Sequence, residues 1–216
     1  IVHEINQPLT AVQTWIQGAQ RQLQQENGQA VSQALSAALT QTQRISALLT
    51  RFREHVVREK VTLQETDLAA CWLQVVNLLE HERRAEHISV SHVFALGATT
   101  VLADPLWLEQ VLHNLLSNAI QAQQASPAGW VKIESHKTES GIQITVTDGG
   151  PGFSPEALQN AFMPFYSGRE EGIGLGMTLT ESLMTRMNGS ITLGNAPQGG
   201  AEIRLQLANG KEATVG

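Results

Sequence analysis

Residues 105–148 read PLWLEQVLHNLLSNAIQAQQASPAGWVKIESHKTESGIQITVTD, and the change of texture inside this stretch decides the fold. Up to Gln124 the apolar residues recur at helical spacing, with Leu112, Leu115 and Leu116 on one side. Asn114 and Asn118, four apart, share another face. Past Gln124 the period falls to two: Val131–His136 and Ile142–Thr147 alternate as strands do and follow one another directly. A helix at Pro105–Gln124 that feeds two consecutive strands fits a layered α/β sandwich better than a doubly wound sheet.

Outward from this stretch the same mixture continues. Strands are expected at Val61–Thr66, Ile88–Phe94, Thr100–Ala103, Ser190–Leu193 and Ala201–Leu207, and helices at Leu68–Glu86 and Leu175–Met187. Ala208–Gly216 reads as a loose polar tail. Residues 1–60 have another character, rich in Gln, Ala, Leu and Thr, with one proline, Pro8. Ile1, Ile5, Leu9, Val12, Ile16, Ala19 and Leu23 form one helical stripe. After a break at Glu26-Asn27-Gly28, Leu35, Leu39, Thr42, Ile45, Leu49, Phe52 and Val56 form a second. The fold class is therefore α+β: a helical hairpin over 1–60, then an α/β sandwich over 61–216. Stripes this long cannot be buried in one hairpin, so a homodimer that pairs two hairpins in a four-helix bundle is expected.

Composition bounds the function. With 42% apolar and 16% charged residues, 216 residues suffice for a sizeable core. One cysteine, Cys71, excludes an internal disulfide framework and suits a reducing cytoplasm. No run of about 18 apolar residues offers a membrane span. The sequence opens at Ile1 inside a helical pattern, so an upstream region is expected, and any membrane attachment with it. The formal charge of −6 argues against nucleic-acid binding. A polyanionic ligand would need local devices: helix N-termini, backbone amides and a metal ion.

Four clusters supply such devices. The amide oxygens of Asn114 and Asn118 suit a hard cation that bridges phosphates. Asp148-Gly149-Gly150-Pro151-Gly152 ends a strand; Asp148 can accept a hydrogen bond from the exocyclic amine of adenine, and the glycines let the backbone approach a ligand. Phe162-Met163-Pro164-Phe165-Tyr166 precedes a short polar loop that suits a lid, in which Arg169 is the only cation within reach of a phosphate. Gly172-Ile173-Gly174-Leu175-Gly176 stands just before a helix, where free amides and the helix dipole favour anions. Each cluster alone has an ordinary structural explanation.

Near the start, His3 lies on the order of 165° from the centre of its stripe and so faces solvent. Glu4 neighbours it and Gln7 follows one turn on. A neutral imidazole attacks phosphorus through one nitrogen while a carboxylate holds the proton on the other, and Glu4 suits that work. Pro8 removes a helix donor, so a bend is expected there.

The string His3-Glu4-Ile5-Asn6-Gln7-Pro8-Leu9, with the four downstream clusters in order, resembles the catalytic core of sensor histidine kinases. These lie within the gyrase and heat-shock-chaperone ATPase superfamily, and the resemblance covers nearly the whole chain. It implies that His3 is the phospho-acceptor and that Asn114 and Asn118 belong to an asparagine box, with Asn118 on the metal. Asp148, Gly150 and Gly152 match a first glycine box, Phe162 and Phe165 a phenylalanine box, and Gly174 and Gly176 a second glycine box. It further implies ATP and Mg²⁺ as cofactors and the receiver domain of a response regulator as partner, whose aspartate takes the phosphoryl group. Several residues depart from the usual pattern: Gly149 where Asn is common, Gln121 where Lys is common, a six-residue lid, and Gln7 where Asn or Thr is tied to dephosphorylating the partner.

Two rival functions share the pocket. Gyrase- and chaperone-type hydrolases resemble one another in placing Glu, which activates water, where this chain has Asn114, a residue without useful basicity. A degenerate core that only binds nucleotide would lack some of the motifs that are complete here.

Overall fold

The computed structural model describes residues 2–24, 27–56, 61–124, 128–167 and 174–210; the side chains of residues 2–7, 9 and 43–56 also lie outside this description. The chain divides into two compact units, Ile1–Lys60 and Val61–Gly216.

The first unit is two helices packed on each other, α1 (Val2–Gln24) and α2 (Gly28–Val56). Asn27 ends the break between them by accepting a hydrogen bond from the Ala30 amide (3.2 Å), a side-chain cap at the start of α2. The contact differs from the stripe expected for α2. Ala34 and Ala38, together with Ala19 of α1, are buried, whereas Leu35 and Leu39 are 52% and 61% exposed. The buried positions sit one residue before the expected leucines. Methyl-sized side chains suit a tight helix contact, and the long aliphatics flank it in solvent.

The second unit contains β1 (Gln64–Asp67), α3 (Leu68–Leu78), α4 (Glu80–Ala85), β2 (Ile88–Phe94), β3 (Thr100–Ala103) and α5 (Pro105–Ala122). It continues with β4 (Gly129–Thr138), β5 (Gly141–Asp148), α6 (Pro155–Asn160), α7 (Gly176–Arg186), β6 (Ser190–Asn195) and β7 (Ala201–Leu207). Five strands form one sheet in the order β2-β4-β5-β7-β6, with β2 parallel to β4 and the other neighbours antiparallel. β1 and β3 pair separately, antiparallel. Helix α5 packs on α3, α7 and the central strands β4 and β5. Leu108, Leu112, Leu115 and Leu116 of α5 meet Val131, Ile133, Ile144 and Leu205 of the sheet in one core with Trp72 and Met184, all fully buried. Alternation along β4 and β7 puts one sheet face on this helical layer.

Local chemistry explains where the elements start. Asp67 caps α3 by accepting from Ala69 and Ala70 amides (2.8 and 3.1 Å), and Asp104 caps α5 by accepting from Leu106 and Trp107 (3.1 and 3.3 Å). Pro105 follows at the first helical position, where no donor is missed.

Four sequence expectations need correction. The first strand begins at Gln64, not Val61. The helix expected over Leu68–Glu86 is two helices, because the chain leaves helical geometry at Leu79; α4 then carries its own ion pairs from Glu80 to Arg83 and Arg84. A sixth helix was not anticipated at all: α6 is six residues long and has no apolar stripe, although Ser154 caps it through the Ala157 amide (3.0 Å) with Pro155 next in line. The tail is not loose at its beginning, since Ala208 accepts from the Leu102 amide and buried Asn209 bridges to Val101. Among the described residues no helix is long and apolar enough to cross a membrane.

Candidate functional site

A cavity of about 720 Å³ opens between α5, the end of β5, α6 and the start of α7. It gathers Asn118, Asp148, Gly152, Gly174 and Gly176, which stand on separate elements. A larger opening of about 810 Å³, between α3 and α5, is bordered by Leu78, Leu106 and His113 and holds none of the expected site residues. The chemistry selects the smaller one.

Asp148 ends β5 and is buried. Its Oδ1 accepts from the Gly150 amide at 2.8 Å and the Ala201 amide at 3.2 Å, so two backbone donors fix the carboxylate at the cavity wall. The close approach of β7 depends on Gly200: at φ +88° its missing Cβ would stand 1.8 Å from the Asp148 carbonyl oxygen. Gly150 serves through this amide and does not itself line the cavity. Gly152 does, at φ +76°.

Helix α7 begins at the cavity. Its first residue is Gly176, and Leu175 before it provides no side-chain cap, so the first-turn amides are left for a ligand. Gly174, at φ +69°, lies against the phenylalanine segment, where a Cβ would fall 2.5 Å from Phe165 and Tyr166 backbone atoms. The Gly174 carbonyl accepts from the Phe165 amide (3.0 Å), and Thr178 Oγ1 donates to the Phe162 carbonyl (3.1 Å). Phe165 has φ +67°, is 41% exposed and lies off the cavity wall. Tyr166 and Ser167 line the cavity instead.

The two asparagines of α5 part company. Asn118 lines the cavity and donates to Met177 Sδ (3.6 Å). Asn114 lies outside it: its Nδ2 reaches the Gly176 carbonyl and Thr180 Oγ1 (both 3.4 Å), and its Oδ1 accepts from Gln110 Nε2 (3.1 Å). One helical turn toward the N-terminus of α5 has moved it from the cavity to the α5–α7 seam. In this structure its side chain ties the two helices together.

Asp148 is the only acid on the wall, and no Lys or Arg lines it among the described residues. Gln121 lines it as a neutral amide. No group of three His, Cys, Asp or Glu side chains among the described residues could hold a metal alone. Asn118 and Gln121 are the side-chain amides on the wall, and their oxygens could each supply one ligand to a hard cation that keeps its waters. His3, Glu4 and Gln7 lie on α1, but their side chains are outside the described residues, as is Arg169 entirely.

Sequence reading missed the residues that shape the walls. Asn195 grips the backbone of Phe153 from both sides, with Oδ1 accepting from its amide (2.7 Å) and Nδ2 donating to its carbonyl (2.9 Å). In sequence, Asn195 is only a turn residue after a strand, since its partner lies 42 positions away.

Residues 103–211 match the family described as histidine kinase-, DNA gyrase B-, and HSP90-like ATPase. The chain belongs to this ATPase family. Membership brings ATP binding with it, which agrees with a cavity that pairs a buried carboxylate with an uncapped helix N-terminus. Among curated relatives, the C4-dicarboxylate transport sensor protein DctB of Pseudomonas aeruginosa is 27% identical over 213 residues, covering 97% of this chain and 35% of DctB. The tetrathionate sensor histidine kinase TtrS of Salmonella typhimurium is 31% identical over 206 residues, covering 91% of this chain and 34% of TtrS. The chain thus spans about a third of the length of each relative. The same fold occurs in histidine kinase ThkA, solved in complex with the response regulator protein TrrA: TM-score 0.65 at 21% identity, covering 98% of this chain and 60% of that one.

Proposed function

We propose that this ATPase-family chain is the catalytic core of a two-component sensor histidine kinase, which phosphorylates His3 from Mg·ATP and passes the phosphoryl group to an aspartate of a response regulator. The observation that carries this reading is the single cavity in which Asp148, Asn118 and the uncapped start of α7 converge. The kinase relatives and the regulator bound to ThkA support it.

Asp148 accepts from the exocyclic amine of adenine, and the two amides on its Oδ1 hold the carboxylate oriented for that purpose. The free amides at Gly176 and Met177 receive phosphate oxygens, with Arg169 as a further donor from the lid. Asn118 Oδ1 would hold Mg²⁺, which neutralises charge on the phosphates. Glu4 keeps the proton on one nitrogen of His3 while the other attacks the γ-phosphorus in line with the departing ADP oxygen. Most of the catalysis is then positioning and charge neutralisation. Gln7 has no basicity; it can orient a water against a phosphoaspartate docked beside His3. Water attack inside the ATP cavity is poorly served, because the Asn114 amide has no useful basicity. The exposed Leu23, Leu35 and Leu39 of the hairpin support a homodimer in which a second hairpin covers them.

Incubation with γ-labelled ATP tests the reading. Label should enter the wild-type protein in an acid-labile, alkali-stable form and be absent from His3→Gln, which should still bind nucleotide. Undiminished labelling of His3→Gln would remove His3 as the acceptor.

A further inference from the structure

Gln123, the C-cap residue just past the helix that carries Asn118, is only 3% exposed, although glutamine is usually a surface residue. Its side chain is fully used. Nε2 donates to the Ala119 carbonyl (3.0 Å), which the end of α5 would otherwise leave short of a partner, and to the Trp130 carbonyl (3.1 Å); Oε1 accepts from the Trp130 amide (2.9 Å). One amide thus closes the end of α5 onto the start of β4, gripping both backbone groups of Trp130.

The Trp130 carbonyl has a second donor, the Gly149 amide at 3.0 Å, which immediately follows Asp148. Residue 131 pairs with Asp148 in the sheet register. The grip on Trp130 is therefore also a grip on the end of β5, one peptide from the carboxylate. Packing leaves no slack. A Cβ at Gly149 would stand 2.5 Å from Trp130 Nε1 and 2.9 Å from Gln123 Oε1, and one at Gly129 would stand 3.0 Å from that same Oε1. Glycine at 149, where asparagine is common in the family it resembles, is what this arrangement requires: the indole and the glutamine fill the space a side chain would take.

We propose that Gln123 is a positioning residue for base recognition, holding the Asp148 carboxylate through Trp130 and Gly149 so that adenine is preferred over guanine. This rests on the reading of Asp148 as the acceptor for the adenine amine. Guanine presents a carbonyl at that position, so selectivity requires the carboxylate to stay in place, whereas phosphate binding at α7 does not.

The test compares ADP and GDP affinities by calorimetry on the full chain. Gln123→Met keeps the volume and removes all three hydrogen bonds. It should lower the GDP-to-ADP ratio of dissociation constants about tenfold, the scale of one net hydrogen bond, mainly by weakening ADP. A glutamine that served stability alone would lower the melting temperature and leave the ratio unchanged, which would overturn the proposal. Gly149→Ala disturbs the same grip from the strand and should shift the ratio in the same direction; it decides the matter if Gln123→Met fails to fold. Asp148→Asn is the control. If it retains the wild-type ratio, both the base-reading role of Asp148 and this proposal fall; if it loses the ratio while Gln123→Met and Gly149→Ala keep it, only the proposal does.

Discussion

The two units solve the burial problem differently. From Val61 onward, α5 is buried along a full stripe, and Trp72, Leu112, Ile144 and Leu205 are sealed from solvent within a single chain. Among the described side chains of the hairpin the buried apolar residues at the helix contact include Ala19, Ala34 and Ala38, while Leu23 and Leu39 remain 66% and 61% exposed. A sheet covered by a helical layer closes its own core, whereas two helices have only one mutual face and leave the rest of their apolar surface for another partner. The cavity lined by Asp148 and Asn118 accordingly belongs to the unit that is complete in itself. The proposed acceptor histidine stands on the unit that is not.

Four measurements would break or sharpen this contrast. The largest effect is expected inside the closed unit. Asn118→Asp keeps the shape but sets a negative charge beside the triphosphate, and autophosphorylation should fall at least about a hundredfold, the scale of losing one electrostatic element of a reacting site. Wild-type rates would remove Asn118 from the site. In the hairpin, Leu39→Glu puts a charge on the exposed face and should weaken self-association by about tenfold or more in sedimentation, since burying a leucine is worth roughly 1.5–3 kcal/mol. Unchanged sedimentation would mean that this face pairs with nothing.

A smaller loss is expected at Asp104, which caps α5 and also accepts from the Thr62 amide (3.1 Å). Asp104→Ala should cost about 1 kcal/mol in denaturant melts, the usual worth of a helix cap. The smallest concerns Cys71. Burial first, then the carboxylates of Glu109 and Asp67, push its thiol from 9.0 up to about 11. The folded state therefore holds this proton more tightly than the unfolded state. Its contribution to stability should be constant below pH 9.0 and be lost progressively as pH rises toward about 11. Cys71→Ser should remove that part of the alkaline decline and leave the slope of stability against pH near neutrality unchanged, whatever constant cost the buried hydroxyl adds.

Much of this was legible in the chain itself, for reasons that particular residues make clear. β2, β3 and β7 start and stop where their alternation does. Helix α5 could be read because its stripe spans five turns between Asp104, a cap followed by proline, and the glutamine-rich end. Helix α6 escaped because six residues are too few to display a period, and Ser154-Pro155 was its only local sign. On α2 the buried Ala34 and Ala38 lie one position before the most apolar stripe, because periodicity marks the most apolar face while close helix contact selects the smallest side chains; on α1 the buried Ala19 lies on the stripe itself.

Sequence alone determined the order of the longer elements, the sandwich class and the presence on this chain of Asp148, Asn118 and the glycine run before α7. All of these are local matters of period, caps and backbone freedom. Only the tertiary structure decided that Asn118 enters the cavity while Asn114, one turn earlier, ties α5 to α7. It also decided that Asn195 and Gln123 hold the walls, and that Gly149 and Gly200 make room for Trp130 and for the Asp148 carbonyl. Such roles arise from backbone groups and side chains far apart in the chain that meet within a few ångströms. No local pattern encodes which amide will face which carbonyl once the layers have packed.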